Sequence, residues 1–179
     1  MKTLFVNSFN NVIGTSVLLL EGVIIFFGLL YATRKNLRPY FKAYAKTYGL
    51  YFIAFISLAC IIATLVYSEN IGYMPTTVSW YSRIAMYPQA LLAIIALVKK
   101  DDRVWKYILW LSVIGLLVSS AHTIETTTGL AILPCSQAIS CAKEYMKEYG
   151  FISIPVMALS AFLANFLVSL LAIARSSEE

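Results

Sequence analysis

Apolar residues fall into five long runs, set apart by short polar stretches. The runs extend over about Gly14 to Thr33, Thr47 to Tyr67, Val78 to Val98, Val104 to Thr123 and Phe151 to Ala174. Each is near 20 residues long, which as a helix matches a hydrocarbon core about 30 Å thick. Helix is the open-chain solution in lipid, because every backbone group must be satisfied within its own segment. The second run has helical character from as early as Pro39. Pro88 and Pro155 fall inside or near the start of helices, where neighbouring helices compensate a kink. The expected fold is therefore an all-α membrane protein with five spans.

The flanks carry two further patterns. Tyr40, Tyr44 and Tyr48 recur every four residues and share one helical face, with Lys42 and Lys46 on another. That arrangement suits a helix entering at headgroup level with aromatic anchors. The stretch CAKEYMKEYG, residues 141 to 150, interleaves Lys and Glu with Tyr145, Met146 and Tyr149. It reads as a short amphipathic helix on the membrane surface, ended by Gly150.

Composition agrees with the pattern: 60% of residues are hydrophobic and 13% charged. The net charge of +5 does not point to nucleic acid, because the basic residues cluster between apolar runs. Arg34, Lys35, Arg38, Lys42, Lys46, Lys99, Lys100, Arg103, Lys106 and Arg175 fall on one side of the predicted topology. Lys2, Arg83, Lys143 and Lys147 fall on the other. The larger set marks the cytoplasmic side. This puts the N-terminus outside, the C-terminus inside, and the segments around Pro75 and Cys135 outside. The first run reads as a span and not as a leader, since Glu21 interrupts it and no small-residue cleavage site follows. No Gly-rich phosphate loop, zinc-type Cys/His spacing or internal repeat is present. Apart from Glu21, the spans lack the buried charges expected of a small transporter.

Polar residues within the runs are few. Glu21 would cost about 2.5–3.5 kcal/mol at the bilayer centre, and less toward the interface, so it is expected to face the bundle and hydrogen-bond. Asn165 is expected to make an interhelical hydrogen bond. His122, the only histidine, has Glu125 three residues on, which puts the two on one face. They form either an interfacial ion pair or a proton-donating site.

There are three cysteines. Cys60, mid-span in SLACIIA, reads as packing. Cys135 and Cys141, in PCSQAISC, lie in an outward loop where disulfides persist. They form either a structural staple or an exchangeable pair.

The block PTTVSWYSRIAMYP, residues 75 to 88, resembles the P-C-x-x-C-W-Y-x-R-x-x-M-Y-P pattern of the disulfide-bond formation protein B family, in its shorter BdbC-like branch. HTIE (122 to 125) resembles that family's His-x-x-Glu. PCSQAISC resembles its loop pair, and YGFISIPVMALSAF (149 to 162) resembles the opening of its last helix. The likeness runs from about Tyr51 to Ala174. The order of the motifs separates it from the vitamin K epoxide reductase family, where the loop pair comes first.

The resemblance implies a four-helix bundle over residues 47–179, with an extracytoplasmic cysteine loop at 124–150. Residues 1–46 would then be an extra N-terminal span and a basic cytoplasmic linker. It implies a multi-pass protein of a prokaryotic cytoplasmic membrane and a quinone-dependent thiol–disulfide oxidoreductase. In that chemistry a soluble thioredoxin-like (DsbA-like) dithiol oxidase passes electrons to the loop pair, here Cys135 and Cys141. They go on to a C-x-x-C and then to a membrane quinone, ubiquinone or menaquinone. Arg83, His122, Trp80 and Tyr81 match positions bordering the quinone.

The chain departs from the family at two positions: Thr76 and Ser79 stand where the C-x-x-C would be. A hydroxyl cannot exchange a disulfide, so the relay is expected to be arrested. Thr76, Thr77 and Ser79 remain good helix caps, so the fold is expected to survive. Deliberate replacement and natural departure both remain open as the origin. The competing function is a non-catalytic membrane protein that binds quinone, lipid or a partner, with Cys135–Cys141 as a staple.

Overall fold

The structure, a computed structural model, describes residues 2–130 and 146–176. Within them lie five helices long and apolar enough to cross a membrane. These are α1 (Lys2–Thr33), α2 (Arg38–Leu65), α3 (Thr77–Lys99), α4 (Val104–Thr128) and α5 (Ile154–Ser176). A 3-10 turn at Lys35–Leu37 joins α1 to α2, and a π-helical turn at Val66–Ile71 ends α2. No β-strand occurs among the described residues, only an isolated bridge between Glu148 and Ile152.

Helices α2, α3, α4 and α5 pack in a ring, each against its two neighbours, while α1 lies beside α5 and α2 with sparser contact. Small residues let the backbones approach, as is usual between helices in lipid. At the Lys99 end, Ala45, Ala54, Ala93, Ala96 and Ala172 surround Trp105, Ile53 and Ile108. Nearer the other end, Ala85, Met86 and Ala161 surround Phe162. Gly115 is the tightest approach: a Cβ there would stand 2.2 Å from Phe162 Cε1.

One polar cluster joins all four helices of the ring. Asn165 Nδ2 on α5 donates to Gln89 Oε1 on α3 at 2.7 Å and to Ser57 Oγ on α2 at 3.1 Å. Gln89 Nε2 donates to Ser112 Oγ on α4 at 3.1 Å. All four side chains are fully buried. Asn165 thus makes the interhelical bond expected of it. Gln89, the residue after Pro88, is the partner that apolar periodicity does not reveal.

The helix ends sharpen the predicted boundaries. Helix α2 begins at Arg38 with Pro39 in its first turn, where a missing N–H is harmless. The helical character expected from as early as Pro39 is therefore present, and the helix takes in the basic stretch 38–46. Arg38 closes the α1–α2 corner by donating from Nε to the Tyr31 carbonyl at 3.0 Å. Tyr40, Tyr44 and Tyr48 are exposed along one face, as their spacing predicts. Lys46 pairs with Asp102 at 2.7 Å and donates to Ser176 Oγ at 2.7 Å, tying three elements at the Lys99 end. Helix α4 runs on to Thr128, into the first residues of the predicted 124–150 loop.

The amphipathic helix expected over 141–150 is corrected over its described part. Residues 146–150 are not helical but lead into a tight turn with Tyr149 and Gly150 at positive φ, 53° and 83°. Met146 is buried and not laid on a surface. The turn aims the Tyr149 hydroxyl at α1, 2.8 Å from Thr15 Oγ1 and 3.2 Å from Asn11 Oδ1. A helix would carry that ring elsewhere.

Two outcomes follow for stability. Asn165→Ala and Gln89→Ala should each lower the unfolding free energy in mixed micelles by about 1–2 kcal/mol. The double variant should fall short of their sum by about 1 kcal/mol, because both report one network. Simple additivity would refute the network. Gly115→Ala should cost about 1–3 kcal/mol by overpacking, part of it recovered by Phe162→Leu, which removes the ring the new methyl meets.

Candidate functional site

Pro75 cannot continue a helix backwards, and the chain enters α3 through Thr76. Its extended backbone (φ −70°, ψ 163°) places Thr76 Oγ1 to accept from the Ser79 N–H at 3.2 Å. This satisfies one of the orphan donors at a helix start. The Thr76 and Ser79 hydroxyls then lie 3.0 Å apart. One turn further along the same face is Arg83.

Arg83 is about nine-tenths buried. Its Nη2 donates to the Thr64 carbonyl at 3.1 Å, near where α2 widens into its π-helical turn. The Ser68 hydroxyl donates to the same carbonyl at 3.0 Å. The guanidinium also lies over the Trp80 ring, 5.1 Å from its centroid, in cation–π geometry. Its Nε–H has no hydrogen-bond partner among the described residues. A charged, directional donor is thus held in place from two sides, with its Nε–H buried.

That donor lines a half-enclosed cavity of about 490 Å³. Thr76, Ser79, Ser82 and Arg83 form its α3 wall, and His122 and Thr126 contribute from α4. Cys60, Thr64 and Tyr67 line it from α2, Met157, Ala158 and Phe162 from α5, and Ser16, Val17 and Leu20 from α1. Polar groups gather at the Thr76 end, and the remaining wall is aliphatic and aromatic. Tyr67, buried in the π-helical turn, lies 3.1 Å from Asn10 Oδ1 and 3.0 Å from Met146 Sδ. Its ring stacks on Tyr73 at 5.8 Å, so α1, α2 and the chain before α5 meet at this mouth.

Four of the residues singled out from sequence, Thr76, Ser79, Arg83 and His122, therefore come together around one cavity. Trp80 and Tyr81 do not line it; both are substantially exposed, and Trp80 reaches the site only through Arg83. His122 and Glu125 are both buried. Cys135 and Cys141 lie outside the described residues. Cys60, read as packing alone, turns out to be part of the cavity wall. Sequence reasoning missed Tyr67, Asn10 and Met146. The one available signal was their polar or polarisable character at the ends of apolar runs. Among the described residues no cluster of His, Cys, Asp and Glu could hold a metal ion.

Chemically, the polar end of the cavity is a donor surface. The Thr76 and Ser79 hydroxyls carry two hydrogens, one of which bridges the pair. The other hydrogen remains to be given to an acceptor, beside the positive charge of Arg83. The site fits a neutral or anionic oxygen acceptor attached to an apolar body.

Known proteins share this chain's sequence over most of their own length. Disulfide bond formation protein C of Bacillus subtilis (strain 168) is 37% identical over 110 residues, which is 60% of this chain and 80% of the relative. Probable disulfide formation protein C of Halalkalibacterium halodurans is 37% identical over 119 residues, 65% of this chain and 87% of the relative. The SPbeta prophage-derived disulfide bond formation protein B of Bacillus subtilis (strain 168) is 34% identical over 136 residues, 75% of this chain and 91% of the relative. No family model and no solved structure matches the chain. With relatives above 30% identity covered over four-fifths or more of their length, this five-helix chain belongs to the disulfide-bond formation protein B/C family of membrane proteins.

Proposed function

We propose that the chain has the frame of a quinone-linked disulfide-forming protein, halted between its loop cysteines and its oxidant site. The supporting observation is the placement of Thr76 and Ser79. Their side chains converge to 3.0 Å at the start of α3, on the wall of the cavity that holds the buried Arg83 guanidinium. Disulfide sulfurs are bonded at about 2.05 Å, so two cysteines on this helix start could close a bridge with small side-chain movement. The helix N-terminus would favour the thiolate that exchange requires.

In this reading an extracytoplasmic thioredoxin-like dithiol gives up two electrons and two protons to the Cys135–Cys141 disulfide. Met146, five residues after Cys141, lines the cavity mouth, which favours delivery there. A bound quinone would supply the two-electron acceptor. The residues present fit such a group: the Arg83 guanidinium and the Thr76–Ser79 hydroxyl pair line the cavity's polar end, where a carbonyl oxygen would be favoured, and the aliphatic walls suit its ring. His122, buried on the same wall, is positioned to pass a proton. Thr76 and Ser79 interrupt the path, because oxygen in their place neither forms nor exchanges a disulfide. The charge asymmetry of the chain supports an orientation in which the Thr76 end lies outside a prokaryotic cytoplasmic membrane.

The second reading keeps the cavity for binding alone, with Cys135–Cys141 as a staple. The missing thiols favour it. A redox titration separates the two. A loop-pair potential below about −300 mV marks a staple, and a higher one marks an exchanging pair.

Restoring the sulfurs tests the proposal directly. The full chain carrying Thr76→Cys and Ser79→Cys, in nanodiscs with a reduced thioredoxin-like dithiol, should bleach added quinone at its absorbance maximum. The unaltered chain, and the restored chain carrying Cys135→Ser, should stay at the background rate. A restored chain no faster than empty nanodiscs, or an unaltered chain that turns over quinone, would contradict it.

A further inference from the structure

The chain that leads into α5 is fastened to α1 before it reaches the bundle. Residues Glu148 to Ile152 form a closed turn. The Glu148 N–H donates to the Ile152 carbonyl and the Ile152 N–H to the Glu148 carbonyl, both at 2.9 Å. Within that turn Tyr149 sits at φ 53°, a left-handed conformation that bulky side chains rarely adopt. Its hydroxyl lies 2.8 Å from Thr15 Oγ1 and 3.2 Å from Asn11 Oδ1, both on α1. Backbone strain of this kind persists only where the surroundings fix it.

Further contacts complete the joint. Gly14 gives the turn its seat, since a Cβ there would meet Glu148 Cβ at 3.0 Å and Tyr149 Cε2 at 3.5 Å. The Tyr67 hydroxyl lies between Asn10 Oδ1, at 3.1 Å, and Met146 Sδ, at 3.0 Å, and so links α1 to the residues before the turn. Phe9 meets the Tyr67 ring edge-on, with centroids 5.2 Å apart. Asn10, Asn11, Gly14 and Thr15 all lie on one side of α1, as spacings of one, three and four residues allow. Helix α1 precedes the stretch that carries the family's motifs, about Tyr51 to Ala174. What it grips is the chain just beyond Cys141, and Met146 in that chain lines the same cavity as Thr76 and Ser79.

We propose that α1 is a docking platform for the C-terminal stem of the cysteine loop, with Asn10, Asn11, Gly14 and Thr15 as positioning residues for exchange at the cavity mouth. The inference rests on the relay reading above and adds what the first helix does in it. Cys141 is five residues from Met146, so it lies within about 18 Å of that anchor whatever the course between them. With the joint undone, the next buried residue is Ile152, eleven residues from Cys141, and the reach grows to about 40 Å. The effective concentration of a tethered group falls as about the −3/2 power of tether length, which makes this a loss of about three-fold. The step affected is intramolecular. A loop dithiol and an inner disulfide become a loop disulfide and an inner dithiol, so two electrons and two protons pass from one sulfur pair to the other. Reduction of the loop pair by an outside dithiol is bimolecular and does not depend on this tether.

The two steps can be separated in the full chain carrying Thr76→Cys and Ser79→Cys, in quinone-free nanodiscs with both pairs oxidised. An excess of reduced thioredoxin-like dithiol is added. Alkylation at timed intervals, read by mass spectrometry, then counts free thiols at positions 135 and 141 and at positions 76 and 79. Two variants of this parent undo the joint from the α1 side. Gly14→Leu wedges the turn away. Asn10→Leu with Asn11→Leu and Thr15→Val removes the polar partners of Tyr67 and Tyr149 and makes α1 more apolar, so membrane insertion is kept. Each variant should quicken amide hydrogen exchange at Glu148 and Ile152, whose N–H groups close the turn. Each should slow the appearance of thiols at 76 and 79 by about three-fold or more, with the initial rate of loop-pair reduction unchanged. Ile25→Ala, on an exposed face of α1, should match the parent in every readout.

Unchanged transfer in variants whose turn exchanges faster would overturn the platform and spare the relay reading. Faster transfer would do the same, by showing that the joint holds the loop away from the mouth. A turn that stays protected in both variants would also overturn it, since α1 would then not be what holds the stem. Equal slowing of the first step would mark general damage to the loop and count against positioning. A parent whose loop pair the dithiol never reduces, or whose inner pair stays oxidised beside a reduced loop, would overturn the relay reading and the platform with it.

Discussion

The hydrogen-bonded cluster of Ser57, Asn165, Gln89 and Ser112 is the constraint on which the rest of the structure depends. Helices already inserted in lipid gain no hydrophobic free energy by touching one another, so apolar patterning cannot set their rotation. A carboxamide buried in hydrocarbon can. Rotating α5 by one residue, about 100°, would turn Asn165 toward lipid and strand Gln89. The cluster takes one residue from each helix of the ring and so fixes four rotations at once. The small-residue contacts, Gly115 on Phe162 and Gly49 beside Trp105, become possible only in that register.

That register decides where the chemistry can sit. Arg83 lies six residues before Gln89 on α3, so fixing Gln89 toward the bundle axis also fixes the azimuth of Arg83 about 600° back, and hence about 120° around the helix. This places the guanidinium at the α2–α3 seam, where the Thr64 carbonyl meets it at 3.1 Å. Thr76 and Ser79 follow from the same rotation, since Ser79 shares the face of Arg83. Replacing sulfur by oxygen at these positions leaves the construction undisturbed, because a threonine at a helix N-cap satisfies the Ser79 N–H on its own. A hydroxyl pair at these two positions is therefore compatible with the frame in physical terms.

The spans were legible because a hydrocarbon slab imposes length and apolarity on each segment independently. So was the grouping of Thr76, Ser79, Arg83 and His122 at one end, since helix spacing and end position fix it. What a single chain does not display is which way each uniformly apolar helix faces. In a run such as SVLLLEGVIIFF every face looks alike, and only the tertiary contacts make Val17 a wall and Leu18 a lipid surface. Trp80 and Tyr81 illustrate the same limit. Aromatic side chains beside a motif are equally suited to a ligand and to the membrane interface, and here both face outward. The 146–150 segment escaped for another reason. Its alternation of Lys, Glu and Tyr fits a helix, but burial of Met146 and docking of Tyr149 on α1 outweigh that local preference.

Helix α1 shows how such a bundle can gain a component. Much of its surface is exposed leucine, isoleucine and phenylalanine, which is already satisfied in lipid. Attachment therefore rests on few contacts: ring contacts of Phe9 with Tyr67 and of Phe27 and Tyr31 with Phe41, together with hydrogen bonds that lipid cannot offer. Asn10, Asn11, Thr15 and Glu21 all bond outside their own helix, to Tyr67, Tyr149 and Ser160. Each donor or acceptor would otherwise meet hydrocarbon or headgroups, so the ties are directional and set the height and rotation of the helix. These ties concentrate at the mouth and at one deeper point, and between them and the Phe41 contacts Ser16, Val17, Leu20 and Val23 line the cavity. Held near both ends, α1 forms one wall of the cavity beside Arg83.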